Sequence, residues 1–170
     1  SVLEPAAALE RLPLRRPVLL YMGSFLPYKN VETLVRAAGR LPGHELHLLS
    51  RISPARRAEL EALVPAGAHV VFHDGVDEAE YTALLGRAAA LLTASRAEGY
   101  GLPVVEALAA GTPVVCSDLP IFREVAGQAA AYAAPDDDAG FAAAVRALED
   151  PARARAQVLA GLDRARAWSW

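Results

Sequence analysis

The sequence predicts an α/β fold: a parallel sheet of about six strands, doubly wound, with helices on both faces. Three observations predict it. Short apolar runs recur along the chain and alternate with longer stretches whose apolar residues fall at helical spacing. The runs are nearly continuous rather than alternating polar and apolar, as strands buried on both faces require. The joints between them hold glycine, proline or short polar side chains suited to turns and helix starts.

Taken in order, residues 1–16 are rich in Ala, Arg and Pro without a clear period and read as a linker or leading segment. Val18–Met22 is the first strand and runs into Gly23. Asn30 is placed to cap the next helix, where Val31, Leu34, Val35 and Ala38 line one face. Leu46–Leu49 is the second strand, and Ser53-Pro54 opens a helix to about Leu63. His69–Phe72 is the third strand. Asp77 caps a third helix with Tyr81, Leu84 and Leu85 inward. Ala90–Thr93 is the fourth strand, and the helix after it stops at Gly111, a natural left-handed cap. Val114–Cys116 is the fifth strand, Leu119-Pro120 starts a short helix to about Ala126, and Ala130–Tyr132 is the sixth strand. Asp136 begins a helix through Leu148, and Pro151 begins another to about Ala167. The alternation fits one sheet over residues 17–150, with 151–170 a C-terminal helix expected to be truncated.

With 170 residues, 54% of them hydrophobic, the chain has enough apolar material for one domain core. A net charge of -3 gives no broad electrostatic case for nucleic acid or an anionic membrane. The only cysteine, Cys116, sits in an apolar run, so no disulfide forms within the chain and a reduced compartment fits. No apolar run reaches the roughly 18 residues of a membrane span. No signal peptide is recognised, and the start at Ser1 rather than Met suggests a fragment or processed form. Every cation is arginine except Lys29, which marks that position as one suited to a compact point charge.

In parallel sheets, ligands bind beyond the carboxyl ends of the strands. The Lys29 loop follows the first strand and the segment Glu98–Glu106 follows the fourth, so both belong on that edge. Gly99 and Gly101 let backbone approach a ligand, and Pro103 suits the first turn of a helix. A helix that opens from a glycine turn presents free N–H groups and partial positive charge, a seat for phosphate. Glu106, one turn in, suits a pair of sugar hydroxyls. The segment reads as a site for a phosphorylated sugar or nucleotide.

These residues are similar to a known pattern. Gly23 through Lys29-Asn30 resembles a first phosphate loop, Phe72 through Gly75-Val76 a third strand and its loop, and Glu98-Gly99-Tyr100-Gly101-Leu102 through Glu106 the E-x7-E signature. Phe122 through Val125 and Trp168 to Trp170 also fit. In that order they resemble the C-terminal, donor-binding half of a GT-B retaining glycosyltransferase of family 4, over about residues 17–170. The resemblance implies a Rossmann-like domain, one half of a GT-B fold. It implies a UDP- or GDP-hexose donor, no metal or other cofactor, and an N-terminal acceptor-binding domain as the missing partner. It implies a cytoplasmic location, at the inner membrane face if the missing domain docks there. Glu106 would hold ribose hydroxyls and Glu98 would sit near the transferred sugar. The amides around Gly99, Tyr100, Gly101 and Leu102 would bind the distal phosphate and hexose, Lys29 would neutralise the leaving diphosphate, and backbone near Val76 would touch the base. Many family members carry arginine directly after the first glycine. Here it is Ser24, and Arg51 or Arg96 is the candidate replacement, set against the plainer reading that both are surface arginines.

The other candidates read plainly. Asp136, Asp137 and Asp138 resemble a metal-binding pair of carboxylates but follow Pro135 at a helix start, where capping explains them. His44 and His47 have no third ligand nearby, and His73 reads as a satisfied loop histidine. A glycosidase pair of Glu98 and Glu106 is disfavoured by the phosphate-ready amides. A dinucleotide oxidoreductase needs a G-x-G-x-x-G turn that Gly23-Ser24-Phe25 does not supply. A sugar phosphorylase, a nucleotide-sugar epimerase and a non-catalytic nucleotide-binding module remain the alternatives. Trp168 and Trp170 are expected to be partly exposed where a partner surface is absent.

Overall fold

The structure, a computed structural model, describes residues 17–168. The leading segment 1–16 and Trp170 lie outside the described residues. Six strands form one sheet: β1 Val18–Tyr21, β2 Glu45–Leu48, β3 His69–Phe72, β4 Ala90–Thr93, β5 Val114–Ser117 and β6 Ala131–Ala133. All neighbours are parallel, in the order β3-β2-β1-β4-β5-β6. The chain winds outward from β1 in one direction, returns, and winds outward from β4 in the other. The point of reversal lies between β1 and β4, where Leu19 pairs with Ala90. At that point the loops leaving the two strands part to opposite faces and open a crevice.

Among the described residues, seven α-helices cover the faces: α1 Val31–Gly39, α2 Pro54–Leu63, α3 Glu78–Arg87, α4 Leu102–Ala109, α5 Pro120–Ala126, α6 Asp138–Ala147 and α7 Pro151–Arg166. Strand side chains alternate between two cores. Leu19, Tyr21, Leu46, Leu48, Leu92 and Val115 pack with Leu34, Leu60 and Phe141 on one face. Leu20, Leu91, Val114 and Cys116 pack with Leu85, Leu108 and Phe122 on the other. Because both faces are covered, β4 and β5 are buried at every position, and the sequence shows them as unbroken apolar runs. Burial also pushes the Cys116 thiol up to about 12, which keeps it protonated and inert. Trp168 is half-buried against the second core. Among the described residues, no helix is long and apolar enough to cross a membrane.

Most caps stand where the sequence places them. Ser53 accepts from the Arg56 N–H and Asp77 from that of Glu80. Two do not. Asp137, not Asp136, caps α6, accepting from the Gly140 N–H at 2.8 Å, and the helix starts two residues later than expected. Asp136 is drawn off by Arg96. Asn30 holds the N-cap position of α1 but in a left-handed conformation (φ 54°) with no side-chain cap bond. Its amide reaches across the sheet edge instead. Strand ends shift by one residue: β1 stops at Tyr21, and β2 starts at Glu45, opposite Val18 and His69.

Candidate functional site

The loop after β1 is built around Tyr21. Its hydroxyl donates to the Ser24 carbonyl at 2.6 Å, and a side chain at Gly23 would place its Cβ 2.7 Å from the Tyr21 hydroxyl oxygen. Gly23 is therefore fixed by close approach. Its N–H donates to Ser50 Oγ at 3.1 Å. A single 3-10 turn, Pro27–Lys29, then lifts Lys29 to the carboxyl edge of the sheet.

The loop after β4 meets it there. Lys29 Nζ lies 2.5 Å from Glu98 Oε1, with only 15% and 14% of the two side chains exposed. The same oxygen accepts from Ser95 Oγ at 2.8 Å. The Arg96 N–H donates to the Tyr28 carbonyl at 2.9 Å, so backbone joins the two loops as well. Beyond Glu98, Gly99 and Tyr100 are exposed, and Gly101 starts α4 at φ 66°. Having no side chain, Gly101 gives α4 no side-chain cap, so its first N–H groups face outward for a ligand or water. A Cβ at Gly101 would meet the Phe122 ring at 3.4 Å, whereas one at Gly99 meets nothing within 4 Å. The fold demands glycine at 101 and not at 99.

Glu106 is exposed on α4 and is steadied from α3 by the Tyr81 hydroxyl, which donates to Oε1 at 3.1 Å. Burial, and then the Glu106 charge, push the Tyr81 phenol well up, so it stays a donor. Leu102 is exposed beside this mouth. Val76 is half-buried just past Gly75, whose N–H donates to the Leu49 carbonyl at 2.8 Å. A Cβ at Gly75 would come within 3.0 Å of the Arg51 side chain, and Arg51 and Ser24 line one cleft of about 570 Å³ with Phe25, Ile52 and Arg56. Among the described residues, the Arg51 guanidinium has no ion-pair partner. Arg96 is committed: its guanidinium pairs twice with Asp136, at 2.7 Å through Nη1, and touches Asn30. The structure thus brings Lys29, Glu98 and the α4 mouth together. It sets Glu106 with Tyr81, leaves Arg51 beside Ser24, and gives Arg96 to loop bracing. Tyr81 and Ser95 belong to the candidate site and were missed by the sequence reading; the helical spacing of Tyr81 with Leu84 and Leu85 does not distinguish it from core.

The acidic run is accounted for: Asp136 pairs with Arg96, Asp137 caps, and Asp138 pairs with Arg40 at 2.8 Å. Among the described residues no group of three His, Cys, Asp or Glu is arranged to hold a metal ion. His47 Nδ1 lies 2.8 Å from His73 Nε2, and His44 lies 3.9 Å from Glu149. Burial lowers both His44 and His73, and the His47 charge lowers His73 further. A histidine whose pKa falls on folding favours the neutral form, so its contribution is present above the unfolded value of 6.5 and is lost as pH falls through the folded one. Stability is accordingly expected to be flat above about pH 7 and to decline below 6.5, well before the carboxylates titrate. Urea midpoints between pH 5 and 8 measure this, and His73→Asn should flatten the profile.

Comparison with known proteins decides the family. The family model described as Glycosyl transferases group 1 matches residues 16–150. The chain belongs to the group 1 glycosyl transferases. It is 31% identical over 159 residues to O-antigen chain mannosyltransferase B of Escherichia coli, covering 89% of this chain and 42% of that protein. It is 32% identical over 118 residues to the MMP alpha-(1->4)-mannosyltransferase of Mycolicibacterium hassiacum, covering 66% and 28%. Among solved structures it superposes on sucrose-phosphate synthase of Thermosynechococcus elongatus with a TM-score of 0.79 at 30% identity, covering 98% of this chain and 44% of that one. The chain thus spans less than half the length of these relatives. As a group 1 glycosyl transferase it has the Rossmann-like sheet of the C-terminal half of a GT-B fold.

Proposed function

We propose that the chain is the nucleotide-sugar seat of a retaining hexosyltransferase, which takes a UDP- or GDP-hexose and passes the hexose to an acceptor held by a second, N-terminal domain. The observation that carries this is the meeting of Lys29 and Glu98, from the loops after β1 and β4, beside the glycine-opened start of α4. A nucleoside diphosphate leaves as an anion, so the reaction needs positive charge where negative charge grows. Lys29 and the α4 N–H groups supply it without a metal or other cofactor. Glu106, steadied by Tyr81, takes the ribose hydroxyls, Glu98 faces the transferred hexose, and backbone near Val76 meets the base. Arg51, beside Ser24 and unpaired among the described residues, supplies the second cation that Arg96 does not. The 170 residues alone bind donor weakly and do not turn over, because the acceptor groups belong to the part of the relatives that this chain does not match. A reduced buried thiol and a nucleotide-sugar donor fit a cytoplasmic site.

Two of the relatives named above are mannosyltransferases, which puts GDP-mannose first in a thermal-shift panel with UDP-glucose and GDP-glucose. Ligand at a hundred times its Kd adds about 2.7 kcal/mol. At about 2–4 °C per kcal/mol for a chain of this size, that is a rise of roughly 5–10 °C. No shift with any of the three overturns the reading and favours an interaction module. Arg51→Ala should weaken the bound sugar nucleotide about tenfold while Arg96→Ala does not; unchanged binding by Arg51→Ala removes it from the site.

The two glycines give a sharper contrast. Gly101→Ala forces a left-handed alanine against Phe122 and is expected to cost about 1–2 kcal/mol. Gly99→Ala should leave the unfolding midpoint within about 0.5 kcal/mol of the parent. Its added methyl, facing open space at the helix mouth, should still reduce sugar-nucleotide affinity at least about fivefold. Paired urea melts and titrations read both.

A further inference from the structure

Ser95 is completely buried at the end of β4, next to the carboxylate that faces the transferred sugar. Its backbone is fixed from β5 by the Ser117 hydroxyl, which donates to the Ser95 carbonyl at 2.6 Å. Its own hydroxyl touches two groups, Glu98 Oε1 at 2.8 Å and Thr93 Oγ1 at 3.2 Å. An ionised carboxylate only accepts hydrogen bonds, and a hydroxyl has one proton. Ser95 therefore donates to Glu98, and Thr93 in turn donates to Ser95. The order of protons is fixed: Thr93 to Ser95 to Glu98. Both strong donors on Glu98, Ser95 and Lys29, converge on Oε1, and Oε2 has no protein partner among the described residues.

We propose that Ser95 is a positioning residue that holds Glu98 in place for a hydroxyl of the transferred hexose while Lys29 changes partner. This rests on the donor-seat reading above. In the structure, Lys29 and Ser95 share one carboxylate oxygen. When a diphosphate arrives, the Lys29 ammonium turns to it, and Glu98 loses its counter-charge. Without Ser95 the freed carboxylate would swing toward water. With Ser95, backed by Thr93 and anchored by Ser117, it stays at the crevice, and a sugar hydroxyl takes the donor position that Lys29 has left. Glu98 then competes with a bare nucleoside diphosphate for Lys29, yet rewards one that carries a sugar. Ser95 accordingly controls the preference for sugar nucleotide over nucleotide, rather than the binding of phosphate.

The test is the ratio of two dissociation constants, GDP over GDP-mannose and UDP over UDP-glucose, measured by calorimetric titration of the 170-residue chain and its variants. Ser95→Ala should reduce the ratio about tenfold, the loss of one hydrogen bond to a charged group, with nucleoside diphosphate binding unchanged or tighter. Ser95→Thr, which keeps the hydroxyl, should restore most of the ratio. Glu98→Gln should abolish the ratio and tighten the bare diphosphate, because Lys29 is released from its competitor. If Ser95→Ala does not fold, Thr93→Val, which removes only the donor behind Ser95, should lower the ratio two- to threefold. A purely structural role would lower the melting temperature and weaken both ligands alike, leaving the ratio at its parent value; that result overturns the proposal. Should the parent chain bind neither sugar nucleotide, the donor-seat reading fails first and the role of Ser95 falls with it.

Discussion

With Lys29 replaced by methionine, affinity for the sugar nucleotide is expected to fall at least about a hundredfold, close to 3 kcal/mol. No other single substitution in the crevice should weaken donor binding as much. Lys29 is the only lysine among 17 basic residues, and the turn Pro27–Lys29 delivers its ammonium to the sheet edge. The ammonium is largely shielded from water, in contact with Glu98 and 5.3 Å from the centre of the Tyr28 ring. A cation so placed is screened little by salt, and a contact it made with a donor phosphate would be correspondingly strong. The variant also leaves Glu98 without its counter-charge. Removing one partner of a fully buried pair costs about 3–5 kcal/mol; here water reaches the pair and Ser95 still donates, so about 1–2 kcal/mol is expected. Lys29→Arg should recover only part of the affinity, since a planar fork does not occupy the slot of a compact ammonium. Calorimetric titration with GDP-mannose and UDP-glucose, beside a urea melt, separates the two effects. A loss of affinity below about fivefold would reduce Lys29 to a structural partner of Glu98.

The part of this site legible in the sequence is the part written locally. Strand runs, the caps at Ser53 and Asp77, the glycine-to-helix joint before α4 and the placement of Lys29 and Glu98 on one edge all follow from residues within a turn or two of each other. Parallel strands with apolar runs and helices between them leave few topologies, so two loops far apart in sequence are assigned to one crevice by the sequence alone. What was not legible is held by long-range polar contacts. Asn30 has the composition of a cap, and its neighbours say nothing about carbonyls 64 and 105 residues away. Asp136 has the position of a cap but loses it to Arg96, 40 residues earlier, and the same pairing withdraws Arg96 from the candidate cations. Tyr81 fits the apolar stripe of α3 perfectly well, and only the packing of α3 beside α4 turns its hydroxyl onto Glu106. A hydrogen bond between side chains from different elements leaves no periodic trace in a single sequence.

Asn30 shows how much such a contact can carry. Asn30→Ala is expected to destabilise the chain by about 3–4 kcal/mol, the largest stability loss expected of any polar substitution described. The side chain is 4% exposed. Its Nδ2 donates to the Ala94 carbonyl at 3.0 Å and to the Pro135 carbonyl at 2.6 Å, and its Oδ1 accepts from Thr33 Oγ1 at 3.1 Å and, at a longer 3.4 Å, from Arg96 Nη2. Three loops, those after β1, β4 and β6, are joined through one amide. Each lost bond costs about 1 kcal/mol net, more where a carbonyl is left buried without a partner. The left-handed backbone adds about 1 kcal/mol for alanine, which asparagine tolerates better. At about 2–4 °C per kcal/mol the melting temperature should drop by roughly 10 °C. Asn30→Gly separates the contributions, because glycine accepts the backbone but makes none of these side-chain bonds; it should recover about 1 kcal/mol and no more. Asn30→Asp is the stricter test. It preserves shape but offers acceptors to two carbonyls, so it should be at least as unstable as alanine near pH 7 and should improve when acid restores a proton. Because Asn30 adjoins Lys29 and Ala94 adjoins Ser95, every one of these variants should also loosen the Lys29–Glu98 contact. Sugar-nucleotide affinity should therefore fall in step with stability across the three, and a variant that loses stability while binding as the parent does would show that the crevice is held by something other than this amide.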